Sequence, residues 1–399
     1  MARNGNGLAY PINEVKKVAS KYLRLEDDKL IDVIFAAHLA NWFDADPLWL
    51  IIIAPPSSAK TELLRGFEGG SDFFFLSTVT PATFISGKAP TKKTPNPSLL
   101  PKMNDKTVIF KDFTTILSMR PDHQKEVLAQ MREAYDGHVV KGFGNEAGVV
   151  EWRGKIGFIA ACTGVYDRHY GVIGAMGDRF LLYRSNFEDP EEIAETAQKN
   201  VGAERIMRAD IRKAFSRFLA QFKDIDMSNP VKDKTIDAQI RSLACFCAVA
   251  RCAVARDGYS KDIEYDPMPE GPARLVKQLT QIGLGLAMVA GKPGIDLEVY
   301  ETIKKIGRDL VSSMRISTLR YLYDQRTFES GAEWETTTEI AAGINKPTNT
   351  TLRMLEDLMI VGALRRQRQG GFEKTPYLWQ LRDDFLRFVT RAEVFEDSI

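Results

Sequence analysis

Residues 48–67 read LWLIIIAPPSSAKTELLRGF. The first seven are apolar, with three isoleucines in succession, and a Pro-Pro pair closes them off. A short apolar run bounded by turn residues reads as a strand buried on both faces. From Ala59 onward the stretch has helix character. Strand, tight loop and helix together let backbone N–H groups face a phosphate, with a Lys for its charge and a Ser or Thr hydroxyl for magnesium. Lys60 and Thr61 stand in the lysine and hydroxyl places. Pro56, Ser57, Ser58, Ala59 and Glu62 complete the expected contact set for the phosphates. Both places reserved for glycine hold alanine, Ala54 and Ala59, so the bare pattern fails although its setting is right. The competing reading is an ordinary helix start after a strand.

Working outward, residues 12–44 carry apolar side chains at helical spacing, interrupted by the acidic turn Glu26-Asp27-Asp28. Downstream, FFFL (73–76), TVIF (107–110), IGFIAA (156–161) and FLLY (180–183) read as further buried strands, with a helix over 122–135 between them. Strands alternating with helices predict an α/β core on a mostly parallel sheet. From about 190 to 310 the pattern turns helical, over 204–223, 235–256, 270–290 and 296–313. Residues 314–385 read as a small unit of helices with a terminal hairpin. The stretch 86–106, rich in Pro and Lys, reads as a long loop or irregular hairpin.

Composition narrows the classes. Lys plus Arg (54) nearly equals Asp plus Glu (53), so any nucleic-acid surface must be local. The longest apolar run falls far short of a membrane span, and no secretory signal is evident, so no membrane association and a cytoplasmic location are expected. The four cysteines lack zinc spacing and read as thiols in a reducing compartment.

The strand TVIF ends in Lys111-Asp112-Phe113. An acid at a strand tip beside the phosphate loop can orient magnesium or the attacking water, which makes Asp112 a catalytic and metal-binding candidate. Two adjacent acids are usual there, and this chain offers one, preceded by a lysine.

With these segments in order, residues 45–310 resemble an AAA+ ATPase, and within that group the minichromosome-maintenance helicases and related phage and mobile-element replication ATPases. The Ala59-Lys60 pair and the following Leu63-Leu64 match that type of phosphate loop. The stretch 128–164 resembles its helix, pre-sensor hairpin and sensor strand, which would put Thr163 in the sensor 1 place. Gly177-Asp178-Arg179-Phe180 resembles the segment with the arginine finger, so Arg179 would reach a neighbouring subunit's nucleotide. Residues 272–300 resemble the lid helix of sensor 2, where Arg274 fits by position and Arg241 competes. Against the family's acidic pair, Lys111 replaces the first acid.

The resemblance implies a P-loop core with a parallel sheet and an all-helical lid. Separately, a helix from Thr338, the turn Asn345-Lys346-Pro347, a second helix over Thr348–Met359 and a two-stranded wing from Gly362 to Trp379 resemble a C-terminal winged helix-turn-helix. The expected boundaries are an N-terminal helical segment (1–45), the ATPase core (46–190), the lid (191–312) and the winged helix (313–399). The AAA+ resemblance implies ATP and Mg2+ as ligands and self-association into a ring or spiral. In the resembling helicases the hairpin at 137–153 enters a central channel, where Lys141 and Phe143 would touch DNA. Glu146 and Glu151 in the same region keep a plain packing hairpin open. Lys92 and Lys93 in the Lys-rich loop are further DNA candidates. In the C-terminal unit, Asn349, Thr351 and Arg353 would face the major groove, with Arg365, Arg366, Arg368 and Lys374 on the wing. Many winged helices bind only proteins, so a protein partner is an alternative. The expected function is an ATP-dependent, oligomeric, helicase-, loader- or initiator-like protein acting on DNA. Two alternatives are an ATP-binding switch with weak hydrolysis and a DNA-binding regulator with a vestigial phosphate loop.

Overall fold

The computed structural model describes residues 8–88, 98–145, 147–169, 179–185, 189–223, 230–326, 334–371 and 375–396. Two compact units emerge. The first takes the described residues up to 169, then 179–231 and 281–295, and the second takes 232–280 and those from 296 onward.

The first unit is α/β. It begins with helices α1 (Ile12–Ser20) and α2 (Lys29–Ala40). Strand β1 (Trp49–Ile53) follows, then α3 (Lys60–Arg65) and β2 (Phe73–Leu76). Next come α4 (Leu100–Met103), β3 (Thr107–Phe110), α5 (Thr114–Leu117) and α6 (Pro121–Tyr135). A hairpin of β4 (His138–Gly142) and β5 (Val149–Arg153) precedes β6 (Gly157–Cys162) and β7 (Phe180–Arg184). Helices α7 (Pro190–Lys199) and α8 (Glu204–Ala220) complete these elements.

Five strands form one sheet in the order β2-β3-β6-β1-β7, and every pairing is parallel. The chain leaves β1 toward the β2 edge, returns strand by strand through β3 and β6, and then places β7 on β1's other side. All five residues of β1 are buried, as expected for a central strand covered on both faces. Trp49 anchors it, its indole N–H donating to the Ile156 carbonyl at 2.7 Å. Eleven of the twelve residues of α2 are buried, and α2 packs against β1 and β6. Phe35 of α2 meets Phe215 and Phe218 of α8 at centroid distances of 4.7 Å. The helical segments at 12–40 and 190–220 therefore share a core with the sheet. Gln221, just past α8, exchanges hydrogen bonds with the backbone of Tyr10.

The second unit contains α9 (Lys234–Ala250), the first half of α10 (Ala273–Val289), α11 (Leu297–Asp309) and α12 (Ser313–Asp324). Strand β8 (Glu335–Thr336), α13 (Thr337–Gly343), α14 (Thr348–Ile360), β9 (Leu364–Arg368), β10 (Tyr377–Leu381) and α15 (Asp383–Arg391) follow. The strands pair antiparallel in the order β8-β10-β9. Thr336 and Glu339 close α13 with a reciprocal capping box. Trp379 is fully buried, with its indole N–H on the Thr337 hydroxyl at 2.8 Å. Helix α9 ends at Ala250, six residues short of the expected 256, and the chain to residue 272 is irregular. The short helices α4, inside the stretch expected as a loop, and α5 and the two-residue β8 were not among the expected elements.

Candidate functional site

At the carboxyl ends of a parallel sheet, ligands bind where neighbouring connections part in opposite directions. Here that point is the end of β1. Three backbone hydrogen bonds lock the strand exits together: Ala54 N–H to the Cys162 carbonyl (3.2 Å), Phe113 N–H to that of Ala161 (2.7 Å) and Ser185 N–H to that of Ile53 (2.9 Å). The loop 54–59, Asp112 and Thr163 thus leave neighbouring strands β1, β3 and β6 at the same end.

The loop is tightly wound. Ser57 (φ 62°) and Ala59 (φ 61°) are both left-handed, a conformation that costs an L residue with a Cβ about 1–2 kcal/mol. Ala59 occupies one of the two glycine places of the expected pattern, and it adopts the backbone that favours glycine there. The loop curls around the Lys60 ammonium, which donates to the carbonyls of Ala54 and Pro55 at 2.6 Å each and to the Ser58 hydroxyl at 3.0 Å. Burial lowers the Lys60 pKa from 10.5 to about 8, while Cys162 and Asp112 nearby pull it up. No side chain caps the start of α3. Pro56, Ser57 and Thr61 are exposed at the mouth of the loop.

Asp112 is exposed and accepts from the Thr114 N–H at 3.0 Å, which aims its carboxylate. Lys111 turns to Glu68, 2.9 Å away, with its ammonium 5.5 Å from the Phe75 ring centre. The lysine in the expected acid's place is thus engaged by an ion pair. Thr114 also lies against the Cys162 thiol, 3.7 Å from its sulfur, and burial pushes that thiol's pKa up. Thr114 and Cys162 escaped the sequence reading, although Cys162 immediately precedes Thr163. Thr163 is half-buried at the end of β6.

Glu62 accepts from Arg208 on α8 at 2.8 and 3.0 Å and from Arg65 at 2.7 Å. Burial pushes the Glu62 carboxyl up, but the two arginines outweigh it and hold its pKa below the usual value. Arg208 had no local signal, because its partner lies 146 positions away. Beside this pair a cavity of about 400 Å³ opens between residues 57–62, the segment 22–24, α7 and α8. That volume lies within the range of small-molecule sites. Leu23, Ile193 and Met207 give it apolar walls. Asn200 fastens its rim, the amide nitrogen donating to the carbonyls of Tyr22 (2.9 Å) and Thr196 (2.8 Å).

The remaining expected residues lie elsewhere or hold internal partners. Arg179 chelates Asp136 at 2.9–3.2 Å and lies over the Tyr135 ring. Arg274 belongs to the second unit's share of the chain and pairs with Glu270 at 3.7 Å. Lys141 pairs with Glu126 at 2.8 Å, and the Phe143 ring covers Gly87 so closely that a Cβ there would sit 2.4 Å from it. Both hairpin side chains are half-buried in these contacts. Lys92, Lys93, Glu146, Gly177, Asp178 and Lys374 lie outside the described residues.

On α14, Asn349 and Arg353 are exposed. Thr351, expected to be presented with them, is instead fully buried. It shares the inward face with Leu355 and Leu358, and its hydroxyl bonds the Pro347 carbonyl one turn back. Arg365 bonds Gln380 and pairs with Asp383 at 3.2 Å. Arg366 lies 4.2 Å over Tyr377, and Arg368 lies 3.8 Å over the same ring.

Among the described residues, no group of three or more His, Cys, Asp or Glu is placed to hold a metal ion by itself. Mg2+ commonly takes one or two carboxylates and completes its shell with phosphates and water, so Thr61 and Asp112 fit an ion carried in by a nucleotide. No described helix is long and apolar enough to cross a membrane. The chain matches no known protein-family model, and no curated protein matches it.

Proposed function

We propose that the first unit binds ATP with Mg2+ as an AAA+ type P-loop module, and that the chain acts on DNA as an oligomer. One observation carries the nucleotide reading. Two non-glycine residues, Ser57 and Ala59, are held left-handed in the loop that encloses the Lys60 ammonium, at the end of the central strand. Such strain persists where the surroundings enforce it, and it clusters at ligand clamps. Successive turns of this kind aim backbone N–H groups at an anion.

In this reading Lys60 leaves the loop carbonyls for the phosphates, and Thr61 and Asp112 hold the Mg2+, which would neutralise charge on them. Thr163 would position water or the terminal phosphate. Arg179 would act on a neighbouring subunit's nucleotide after release from Asp136. Arg274 stands as the lid contact by resemblance alone. For DNA, exposed Asn349 and Arg353 on α14 and the arginines of β9 support a winged-helix reading of the C-terminal unit. A protein partner on the same face is the alternative there.

Lys111 favours a second reading, a nucleotide-dependent switch that binds and assembles with little turnover. The usual first acid is missing, and its replacement is a cation paired with Glu68.

The test measures ATP binding, ATP hydrolysis with and without DNA, and oligomer size by light scattering, for the natural chain and Lys60→Ala. Binding lost by at least tenfold in Lys60→Ala, together with ATP-driven assembly, is the expected result. Binding without turnover leaves the switch. Absence of any nucleotide binding would overturn both readings and leave a regulator with a vestigial loop.

A further inference from the structure

The cavity beside the phosphate loop contains one polar side chain whose chemistry is fixed by its own hydrogen bonds. Asn200 follows the last turn of α7, and its amide nitrogen spends both protons on the carbonyl oxygens of Tyr22 and Thr196, at 2.9 and 2.8 Å. Carbonyls only accept, so the partners settle which end of the amide is nitrogen. The remaining atom, Oδ1, is an acceptor with two lone pairs, and among the described residues nothing donates to it. Asn200 lines the cavity, which also reaches the loop residues Ser58 and Lys60. Three other polar groups at the cavity have partners: the Tyr22 hydroxyl donates to Asp210 at 2.6 Å, Arg24 pairs with Glu192 at 2.7 Å, and Arg208 is held by Glu62; Ser57, Thr61, Thr196 and Glu204 also line it.

We propose that Asn200 selects the base of the bound nucleotide, accepting a hydrogen bond from the 6-amino group of adenine. This inference rests on the nucleotide reading above and gives it a base preference. Adenine carries N–H donors at position 6, whereas guanine and hypoxanthine carry an oxygen there. An oxygen facing a fixed acceptor gains no hydrogen bond and leaves two acceptors opposed and desolvated. Leu23, Ile193 and Met207 offer the apolar surface against which a flat ring packs. Asn200 cannot turn its amide to suit an oxygen, because doing so would break both bonds to Tyr22 and Thr196.

Binding of ATP, inosine triphosphate and purine riboside triphosphate to the intact chain, measured by calorimetry with Mg2+, tests this. The three share their phosphates and sugar, and at position 6 they carry a donor, an acceptor and a hydrogen. The expected order is ATP tightest, purine riboside triphosphate next and inosine triphosphate weakest, with about tenfold or more between the extremes. In Asn200→Ala the tie to Tyr22 is also lost, which weakens all three alike, so the ratio is the informative quantity. It should fall to within about twofold. Equal affinities in the natural chain, or a ratio unchanged in Asn200→Ala, would overturn the role of Asn200 and leave the phosphate site standing. If the variant does not fold, the ligand series on the natural chain decides alone. If none of the three binds, the nucleotide reading fails and this inference falls with it.

Discussion

Replacing Ala59 with glycine should stabilise the first unit, although the same exchange weakens an ordinary helix. Ala59 sits at φ 61°, ψ −6°, just ahead of α3. Holding an L residue there costs about 1–2 kcal/mol, because its Cβ crowds the carbonyl that follows. Glycine escapes that crowding. It also gives the unfolded chain extra freedom, worth about 0.4–1 kcal/mol in the opposite direction. The balance is a net gain of about 0.5–1 kcal/mol. For a unit of this size each kcal/mol moves the melting temperature by about 2–4 °C, so a rise of about 1–4 °C is expected. The control is Ala194→Gly, at an exposed position in the middle of α7, which should cost about 1 kcal/mol. Both variants can be followed by urea and thermal unfolding, with the buried Trp49 of β1 as a reporter of the first unit's core. A drop in stability for Ala59→Gly as large as that for Ala194→Gly would refute the claim that the loop stores strain at this residue.

Two further outcomes follow from titrating groups. Because burial lowers the Lys60 pKa to about 8, a bound polyphosphate that restores it should draw a proton from solution, and affinity should fall as pH rises above about 8. Calorimetry at pH about 8.5 in two buffers of different ionisation enthalpy measures that uptake, and none at all would contradict the buried ammonium. His38 is 1% exposed, and burial lowers its pKa from 6.5 to about 4, with Asp72 pulling weakly upward. The unfolded chain takes up this proton near pH 6.5 and the folded chain only near 4. The stability contribution is therefore complete above 6.5 and lost as pH falls through that window, about 3 kcal/mol in all. Urea midpoints between pH 7 and 4 should fall steeply for the natural chain and less steeply for His38→Asn; parallel curves would place the acid sensitivity elsewhere.

The strands were legible because each is a short apolar run bounded by turn residues, and the five-stranded sheet uses the five that were read. The tight loop between β1 and α3 was legible from its setting, a Pro-Pro break after a buried strand followed by helix-forming residues. What stayed hidden is long-range. Nothing near Asn200 announces that its amide will meet the Tyr22 carbonyl, 178 positions earlier. Nothing near Lys111 announces Glu68, 43 positions away. Thr351 misled for a local reason: a threonine beside exposed polar residues reads as surface, but at its place in the helix period it faces the core and satisfies its hydroxyl on Pro347. Phe143 looked free to stack on a base because the sequence does not reveal its approach to Gly87.

The position of β1 has a consequence for how the chain is made. Its neighbours are β6 and β7, so Trp49–Ile53 gains both ladders only after residue 184 has emerged. At about 5–20 residues per second, the wait across those roughly 130 residues is on the order of ten seconds. Until residue 162 has emerged, which is most of that wait, this highly apolar strand has no partner of its own, and runs of that composition pair with one another between chains. The first helices, α1 and α2, are complete before β1 appears, and α2 packs on β1 in the finished fold. In a nascent chain those helices are the cover nearest to hand, the early chaperone of a sheet that cannot yet close.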